Sequence, residues 1–238
     1  MTSAERRIRL WGLMVEESNG SAVTVEHVGV VTVARAQVDA VAVTLTLATS
    51  PRETVYASNP VAADLEELTT TLGEGPGVDA LAGGLALAGD LAEPDTLARW
   101  PAFGPAALER GIRAAFALPL QVGGIGLGVL DLYRGRPGAL EPDQLADTLL
   151  LADTACALLL DATAGRTGQV LAPAGLQDPR VHQATGMIIA QLGVSAAVAL
   201  VRLRAYAYSH DAHLGEVAAA VVARRLRFHP DSDNGESS

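Results

Sequence analysis

A segment rich in glycine, proline and polar residues divides the chain into two strongly patterned regions. It reads AGRTGQVLAPAGLQDP and covers residues 164–179. Gly and Pro clusters between periodic segments mark connections rather than helices or strands. We therefore expect a first domain over 1–163, a linker over 164–177 and a second domain over 178–229. The polar, acidic residues 230–238 are expected to form a disordered tail.

Charge is distributed unevenly across this division. The 238-residue chain has a net charge of −10, and all 17 of its basic residues are arginine. Residues 1–163 hold 10 arginines against 21 acidic residues, whereas residues 178–228 hold 6 against 3. An acidic body joined to a small basic module indicates that the second domain can meet a polyanion.

The sequence predicts a cytosolic protein without a membrane anchor or a cofactor. The N-terminus lacks a signal peptide, and the long apolar run TLLLADTACALLL is interrupted by Asp153. The single cysteine, Cys156, cannot form an internal disulfide, and we interpret it as a packing residue. No Cys/His cluster is present in the sequence to hold haem or an iron–sulfur centre, so we expect neither a cofactor nor a metal.

Alternating apolar residues predict an antiparallel sheet in the first domain. Alternate residues from Val41 to Leu47 share one face, and TVYAS follows after a SPRE turn, which predicts a hairpin. A second predicted hairpin joins AAFALPLQV to GLGVLDLYR across a Gly-Gly pair. Helices are predicted at NPVAADLEELTTTL, which opens with Asn59 and Pro60, at PAFGPAALERG and at EPDQLADTLLLADTACALLLDAT. This order is typical of an α+β fold.

The segment VTVEHVGVVTVARAQ, residues 23–37, is ambiguous by pattern. Its β-branched residues favour a strand, while Val28, Val31 and Arg35 recur at helical spacing. The family resemblance given below favours the helix.

The last predicted helix of the first domain carries a heptad seam. The spacing is four, three, four, three along Leu145, Leu149, Ala152, Cys156 and Leu159. Two interpretations stay open, because leucines on other sides of this helix are also apolar. The helix pairs with a second copy of the chain, giving a homodimer, or it is buried within one chain.

The second domain is predicted to be a bundle of three short helices. The first opens at Asp178-Pro179 and ends near Gly193. Ser195 caps the second, AAVALVRLRAYAYSH. The third, LGEVAAAVVARRLRF, has basic residues at its C-terminal end, where the helix dipole favours them. Such short helices with short connections indicate a small helical bundle.

Residues 181–218, VHQATGMIIAQLGVSAAVALVRLRAYAYSHDAHLGEVA, resemble the ANTAR domain, the RNA-binding module of transcription antitermination regulators. Residues 37–163 are similar to the GAF domain that precedes it in actinobacterial proteins, through LGEGPGVDAL, GDL, WPAF, GIRAAFALPL, GIGLGVLDLY and the closing helix. The resemblance implies an α+β GAF domain, with an antiparallel sheet and flanking helices, followed by an all-α three-helix ANTAR bundle. It also implies dimerisation and a small-molecule ligand for the GAF domain, which the sequence does not identify.

The resemblance further implies that the second domain binds tandem hairpin loops of a transcript. Such loops offer unstacked bases to aromatic and arginine side chains, and phosphates to positive charge. Arg202 and Tyr206 lie one turn apart on the second helix, as do Arg204 and Tyr208. For either tyrosine, packing in the core of the bundle is the alternative to stacking on an RNA base. The predicted RNA-binding residues are Arg180, Thr185, Gly186, Arg202, Arg204, Tyr206, Tyr208 and His213.

Gly186 interrupts a helix, where glycine costs about 1 kcal/mol against alanine. The family usually has Ala-Lys-Gly here, and this chain has Ala184, Thr185 and Gly186. A glycine permits close approach of a neighbouring helix or of an RNA loop, and packing alone is a sufficient explanation. At two positions before the third helix where the family usually has basic residues, this chain has Ala212 and His213. Each lost positive charge removes a potential phosphate contact and would flatten the salt dependence of binding.

Catalysis is not expected. GGIGLG lies between two predicted strands instead of opening a helix, and a chain without lysine has no P-loop. The sequence therefore predicts a regulator of RNA hairpins that acts in antitermination or translational control. The alternative is a ligand-sensing or protein-interaction scaffold whose ANTAR-like module no longer binds RNA.

Overall fold

The computed structural model describes five ranges of the chain: 2–46, 52–122, 125–164, 179–210 and 212–228. The chain divides into two compact units, Met1–Leu176 and Gln177–Ser238. The predicted linker beyond residue 164, the predicted tail and the two predicted hairpin turns, apart from Arg52 and Glu53, lie outside the described residues.

The described part of the first unit combines helices with five strands. In chain order its elements are α1 Ser3–Glu17, α2 Val25–Ala36, β1 Ala40–Leu45, β2 Glu53–Ala57, α3 Pro60–Leu72, α4 Pro76–Gly83, β3 Ala86–Ala88, α5 Pro94–Arg99, α6 Phe103–Glu109, β4 Ala114–Val122, β5 Ile125–Arg134 and α7 Pro142–Ala164.

The strands form one antiparallel sheet in the order β2-β1-β5-β4-β3. Both predicted strand pairs, β1 with β2 and β4 with β5, are confirmed. Side chains alternate between the two faces of a strand, and in this sheet one face carries larger side chains than the other. Val41 and Val43 pack with α1, α2 and α7, whereas Ala40 and Ala42 pack with α3, α4 and α6. The small side chains on the second face let those helices lie close to the sheet.

Local signals explain several helix boundaries. Asn59 accepts a hydrogen bond from the Ala62 N–H at 3.0 Å and Pro60 occupies the first turn, as the sequence predicts. The ambiguous segment 23–37 is helical, forming α2. Helical spacing prevails over strand propensity there because Val28 and Val31 both enter the core on one face of the helix.

The structure corrects the predicted heptad seam. Ala152, Cys156 and Leu159 are buried among the first unit's own core residues, so they are not available to a partner helix. Leu145 is half-buried, and Leu149 is 40% exposed. Of the two interpretations, burial within one chain therefore holds for the last three residues of the seam.

A buried carboxylate ties α1 and α2 to α7. Asp147 accepts hydrogen bonds from Arg6, from Arg9 at 2.8 and 2.9 Å, and from Arg35 at 2.8 Å. Burial alone would raise the pKa of Asp147, but the hydrogen bonds from Arg6 and Arg35 and the positive charge of Arg9 and Arg35 outweigh it and lower that pKa. Arg6 also donates to Asp143 at 2.6 Å. These ion pairs fix the N-terminal helix on the fold.

The second unit is the predicted three-helix bundle. Its helices are α8 Pro179–Leu192, α9 Ala196–Ser209 and α10 Leu214–Val222. Ser195 caps α9 by accepting the Val198 N–H at 3.4 Å. The buried core consists of Ala184, Ile188, Ala199, Leu203, Ala207, Leu214, Val217, Ala218 and Val221.

The third helix is shorter than predicted. It ends at Val222, and Arg224 follows with a left-handed φ of 57°. The N–H groups of Arg225 and Leu226 both donate to the Ala220 carbonyl. This turn brings Leu226 and Phe228 back against the bundle, where they bury apolar surface that a continuing helix would carry into solvent.

In the described ranges, no helix combines the length and apolarity that crossing a lipid bilayer requires.

Candidate nucleic-acid interface

Gly186 lies on an open face of α8. It is exposed, and a Cβ built on it meets no other described atom within 4 Å. Its outward neighbours one turn away, Gln183 and Ala190, are exposed as well. Close packing inside the bundle therefore does not require this glycine, and the packing explanation fails for the described residues. The bare backbone faces outward instead.

The two residues before Gly186 point elsewhere. Ala184 is buried in the bundle core. Thr185 is half-buried, and its hydroxyl donates to the Val181 carbonyl at 2.7 Å within the same helix. The hydroxyl of Thr185 is thus already bonded, and it supplies no positive charge for a phosphate.

The structure does not bring the four predicted α9 residues onto one surface. A helix turns about 100° per residue, so Arg202 and Arg204 point about 160° apart. Between them runs the buried stripe of Leu203 and Ala207. Arg202 and Tyr206 occupy one flank of this stripe, and Arg204 and Tyr208 lie on the opposite side. The four residues therefore form two separate pairs on α9 and not one continuous surface.

The two tyrosines have different roles in the bundle. Tyr206 is half-buried and stacks on His210, with ring centroids 3.9 Å apart and planes 11° from parallel. It also meets Phe228 edge-on at 5.6 Å. Tyr208 is 63% exposed. Core packing thus describes Tyr206, while Tyr208 offers a ring to solvent.

His210 is a residue that the sequence analysis missed. Besides stacking on Tyr206, its Nδ1 lies 2.9 Å from the Tyr206 carbonyl oxygen and 2.9 Å from the Ser209 hydroxyl. The separation of four residues between Tyr206 and His210 was the available signal, because residues four apart meet on a helix surface.

An apolar stripe on α9 was also missed. Val198, Val201, Ala205 and Tyr208 are all exposed, with Val198 at 42% and Val201 at 60%. Their spacing of three, four and three places them on one helix face. We call these four residues the outer α9 stripe. It presents aliphatic side chains beside the Tyr208 ring.

The remaining predicted and basic residues lie at helix ends. Arg180 is exposed in the first turn of α8. His213 is exposed at the N-cap position of α10, where its side chain makes no capping hydrogen bond. The turn after α10 carries three further exposed arginines, Arg224, Arg225 and Arg227.

A family model for the ANTAR domain matches residues 177–222. Comparison with curated proteins gives no significant match.

Solved structures resemble the first unit. The GAF domain of a phosphoenolpyruvate-protein phosphotransferase from Coxiella burnetii has a TM-score of 0.50 and 16% identity, covering 69% of this chain and 98% of that one. The chromophore-binding domain of a bacteriophytochrome from R. palustris has a TM-score of 0.51 and 9% identity, covering 70% of this chain and 64% of that one. At these identities the likeness shows the fold alone.

ANTAR domains serve RNA-binding regulation, whereas the likeness of the first unit to GAF domains shows its fold. The antiparallel sheet with helices on both faces matches the GAF fold, and the helical second unit matches the family model. With a GAF-fold unit followed by an ANTAR domain at residues 177–222, the chain has the arrangement of GAF–ANTAR regulators.

Proposed function

We propose that the chain is a cytoplasmic, homodimeric regulator that binds tandem hairpins of nascent or messenger RNA and thereby controls termination or translation. Its GAF-fold unit senses a small molecule and supplies the dimer contact. The observation that carries the proposal is Gly186, an exposed glycine inside a helix of an ANTAR domain. Glycine costs about 1 kcal/mol there, and no described neighbour requires it, which favours an external backbone or base as the reason.

The Arg204 side of α9 is the better candidate for base recognition. Tyr208 exposes its ring there, and stacking a base on an aromatic ring is worth roughly 1–3 kcal/mol. Tyr206 on the other flank is held by His210 and Phe228, so we assign it a supporting role. Arg180 and the arginines after α10 would meet phosphates as diffuse positive charge, and the exposed His213 would donate a ring N–H to a phosphate.

A gel shift with the full chain and a two-hairpin RNA tests this function. We expect salt-sensitive binding by the parent and a large loss in the double variant Arg202→Ala, Arg204→Ala. If both arginines meet phosphates, the slope of log K against log salt falls by about 1.4, at roughly 0.7 for each lost contact to a single strand. The single-hairpin RNA is the control. Failure of the dimeric parent to bind at low salt would overturn the proposal.

Exposed apolar residues of the first unit support the dimer. On α1, Ile8, Trp11 and Val15 recur at spacings of three and four and are all exposed, as is Leu149 on α7. Leu149→Asp should therefore raise the dimer dissociation constant, measured by sedimentation, and weaken RNA binding in parallel. An unchanged dimer would exclude α7 from the interface.

A protein-interaction scaffold is the second candidate, and the outer α9 stripe favours it. Val198 and Val201 are aliphatic and exposed, which suits a protein surface better than a phosphate backbone. On this alternative, Val201→Ala affects partner binding while RNA binding is absent throughout.

A further inference from the structure

A buried polar cluster lies between the sheet and helix α3 of the GAF-fold unit. Glu66 accepts hydrogen bonds from the Tyr133 hydroxyl at 2.7 Å, the Thr44 hydroxyl at 2.7 Å and Arg52 Nη2 at 2.9 Å. The same Nη2 lies 3.4 Å from Asp131 Oδ2. All five side chains are buried. We call these residues the Glu66 cluster.

The Glu66 cluster is short of positive charge. One guanidinium, from Arg52, serves two carboxylates. Burial raises the pKa of Asp131, the charge of Glu66 raises it further, and Arg52 only partly opposes them. A buried carboxylate pair that shares one cation favours either a proton or a second cationic group.

One oxygen of the cluster lacks a donor. Asp131 Oδ1 is buried and has no hydrogen-bond partner among the described residues. It lies against the backbone of Gly77, where an added Cβ would stand only 2.6 Å from that oxygen and 2.7 Å from Arg52 Nη2. The missing side chain at position 77 is what makes room there for the carboxylate and the guanidinium head. A buried carboxyl oxygen without a hydrogen-bond partner is a place where a proton or an added N–H donor would be stabilised.

Arg52 is held differently from the other cluster members. Thr44, Asp131 and Tyr133 lie on the inner strands β1 and β5, and Glu66 lies on α3. Arg52 directly precedes β2, an edge strand that is half-buried along its length and shifts register against β1. Edge segments with few buried contacts open at lower free energy than core strands. Of the five cluster side chains, Arg52 therefore belongs to the segment that would open at the lowest free energy.

We propose that Glu66 and Asp131 form a binding site for a small organic cation with a guanidinium, amidinium or ammonium head, and that Arg52 fills this site as an internal substitute. A guanidinium already lies between the two carboxylates, and its planar set of N–H donors matches carboxylate geometry. A ligand of this class would satisfy Asp131 Oδ1 and release Arg52 together with the start of β2. The inference rests on the sensing role proposed for the GAF-fold unit and names its ligand class.

The first experiment measures binding of methylguanidinium to full-length Arg52→Ala by calorimetry. We expect saturable binding that tightens from pH 5 to pH 8, because the cation favours ionised Asp131. Wild type should bind at least about tenfold more weakly, since only the fraction of molecules with Arg52 displaced can accept the ligand. Tetramethylammonium, which has no N–H donor, and the double variant Arg52→Ala, Asp131→Asn are the controls. Equal thermal stabilisation of Arg52→Ala by both cations would overturn the proposal.

Folding of the variant is itself a readout. If Arg52→Ala does not fold alone, methylguanidinium in the refolding buffer should restore the folded state and tetramethylammonium should not. Absence of such rescue counts against the site.

A second experiment asks whether the ligand displaces Arg52 in the intact protein. Hydrogen exchange of the β2 amides should speed up in saturating methylguanidinium while that of α3 amides stays unchanged. Unchanged β2 exchange at saturation would mean that Arg52 is a fixed ion pair, and the proposal fails. Gel shifts on the same samples report RNA binding separately, so failure of the cation site is distinguishable from failure of the RNA function.

Discussion

The two units of the chain use charged side chains in opposite ways. The GAF-fold unit encloses them, with Asp147 and Asp131 in its interior and arginines directed inward onto both. The ANTAR domain keeps Arg180 and Arg225 at its surface around an apolar core. Enclosed charge fixes the position of helices, whereas exposed charge remains accessible to a partner. The difference indicates that substitutions of charge will mainly change folding in the first unit and binding in the second.

A second contrast lies within the GAF-fold unit. Neither Asp147 nor Asp131 is accessible to solvent, yet their pKa values shift in opposite directions. Three guanidiniums surround Asp147, whereas Asp131 shares one with Glu66. The deeper burial of Asp131, the nearby charge of Glu66 and the larger number of guanidiniums around Asp147 together account for the opposite shifts.

The largest expected effect is on stability, from Asp147→Asn. Removing one partner of a buried ion pair leaves the others uncompensated, and we expect a loss of roughly 3 kcal/mol, the low end of the usual range, because Arg9 and Arg35 are partly solvated. Folding lowers the pKa of Asp147. The stability that the ion pairs contribute is therefore present above the pKa that Asp147 has in the unfolded chain, and it is lost as pH falls through the pKa of the folded protein. Urea unfolding at pH 7 and below pH 4 should show a gap between variant and wild type that narrows in acid. A gap independent of pH would contradict the ion-pair account.

Tyr208→Ala should have the next largest effect, on RNA binding and not on stability. Losing one base stack weakens binding by roughly 1–3 kcal/mol, while the exposed ring contributes little to the core. Val201→Ala, at a similarly exposed position of the outer α9 stripe, is the matched control and should bind RNA as wild type does. Equal losses in both variants would instead indicate a protein-type surface.

Asp131→Asn should change the pH dependence in the opposite sense to Asp147→Asn. Folding raises the pKa of Asp131. Its contribution to stability is therefore complete below the pKa that it has in the unfolded chain, and it is lost as pH rises through the pKa of the folded protein. The amide variant should therefore gain stability relative to wild type between pH 4 and pH 7. Thermal midpoints of both proteins across that range check the sign. A variant whose midpoint falls relative to that of wild type as pH rises would refute it.

Gly186→Ala should change stability only slightly, and it gives the sharpest comparison of folding with binding. The added methyl meets no described neighbour, so the helix should gain about 1 kcal/mol. RNA affinity should nevertheless fall if a nucleic-acid backbone approaches there. Ala190→Gly, one turn further along the same exposed face, is the converse control: it should destabilise the domain and leave RNA affinity unchanged. Stabilisation with undiminished affinity would remove Gly186 from the interface.

Local signals in the sequence predicted much of the architecture. The cap at Asn59 and the alternation in β1 are properties of adjacent residues, and the structure retains them. The helix α2 was decided by family resemblance, since its valines suit either structure until the core that they enter is known.

The sites were harder to predict because their parts are distant in sequence. Arg52 and Asp131 are 79 residues apart and Arg6 and Asp147 are 141 apart, so no motif links them. An apolar heptad shows that one side of a helix is covered but not by what, so the spacing alone left open whether Ala152 and Cys156 meet a partner helix or their own core. The separation of Arg202 from Arg204, by contrast, could have been read from their spacing of two residues.

The turn at Arg224 has a consequence for how the ANTAR domain should be cut for expression. The family match stops at residue 222, but Phe228 covers the edge of Tyr206, and its N–H donates to Gln191 on α8 at 3.0 Å. A fragment trimmed to the matched boundary would uncover that aromatic surface and leave the amide oxygen of Gln191 without this donor. Such a fragment would tend to aggregate, and a boundary beyond Phe228 preserves the sealed end of the bundle.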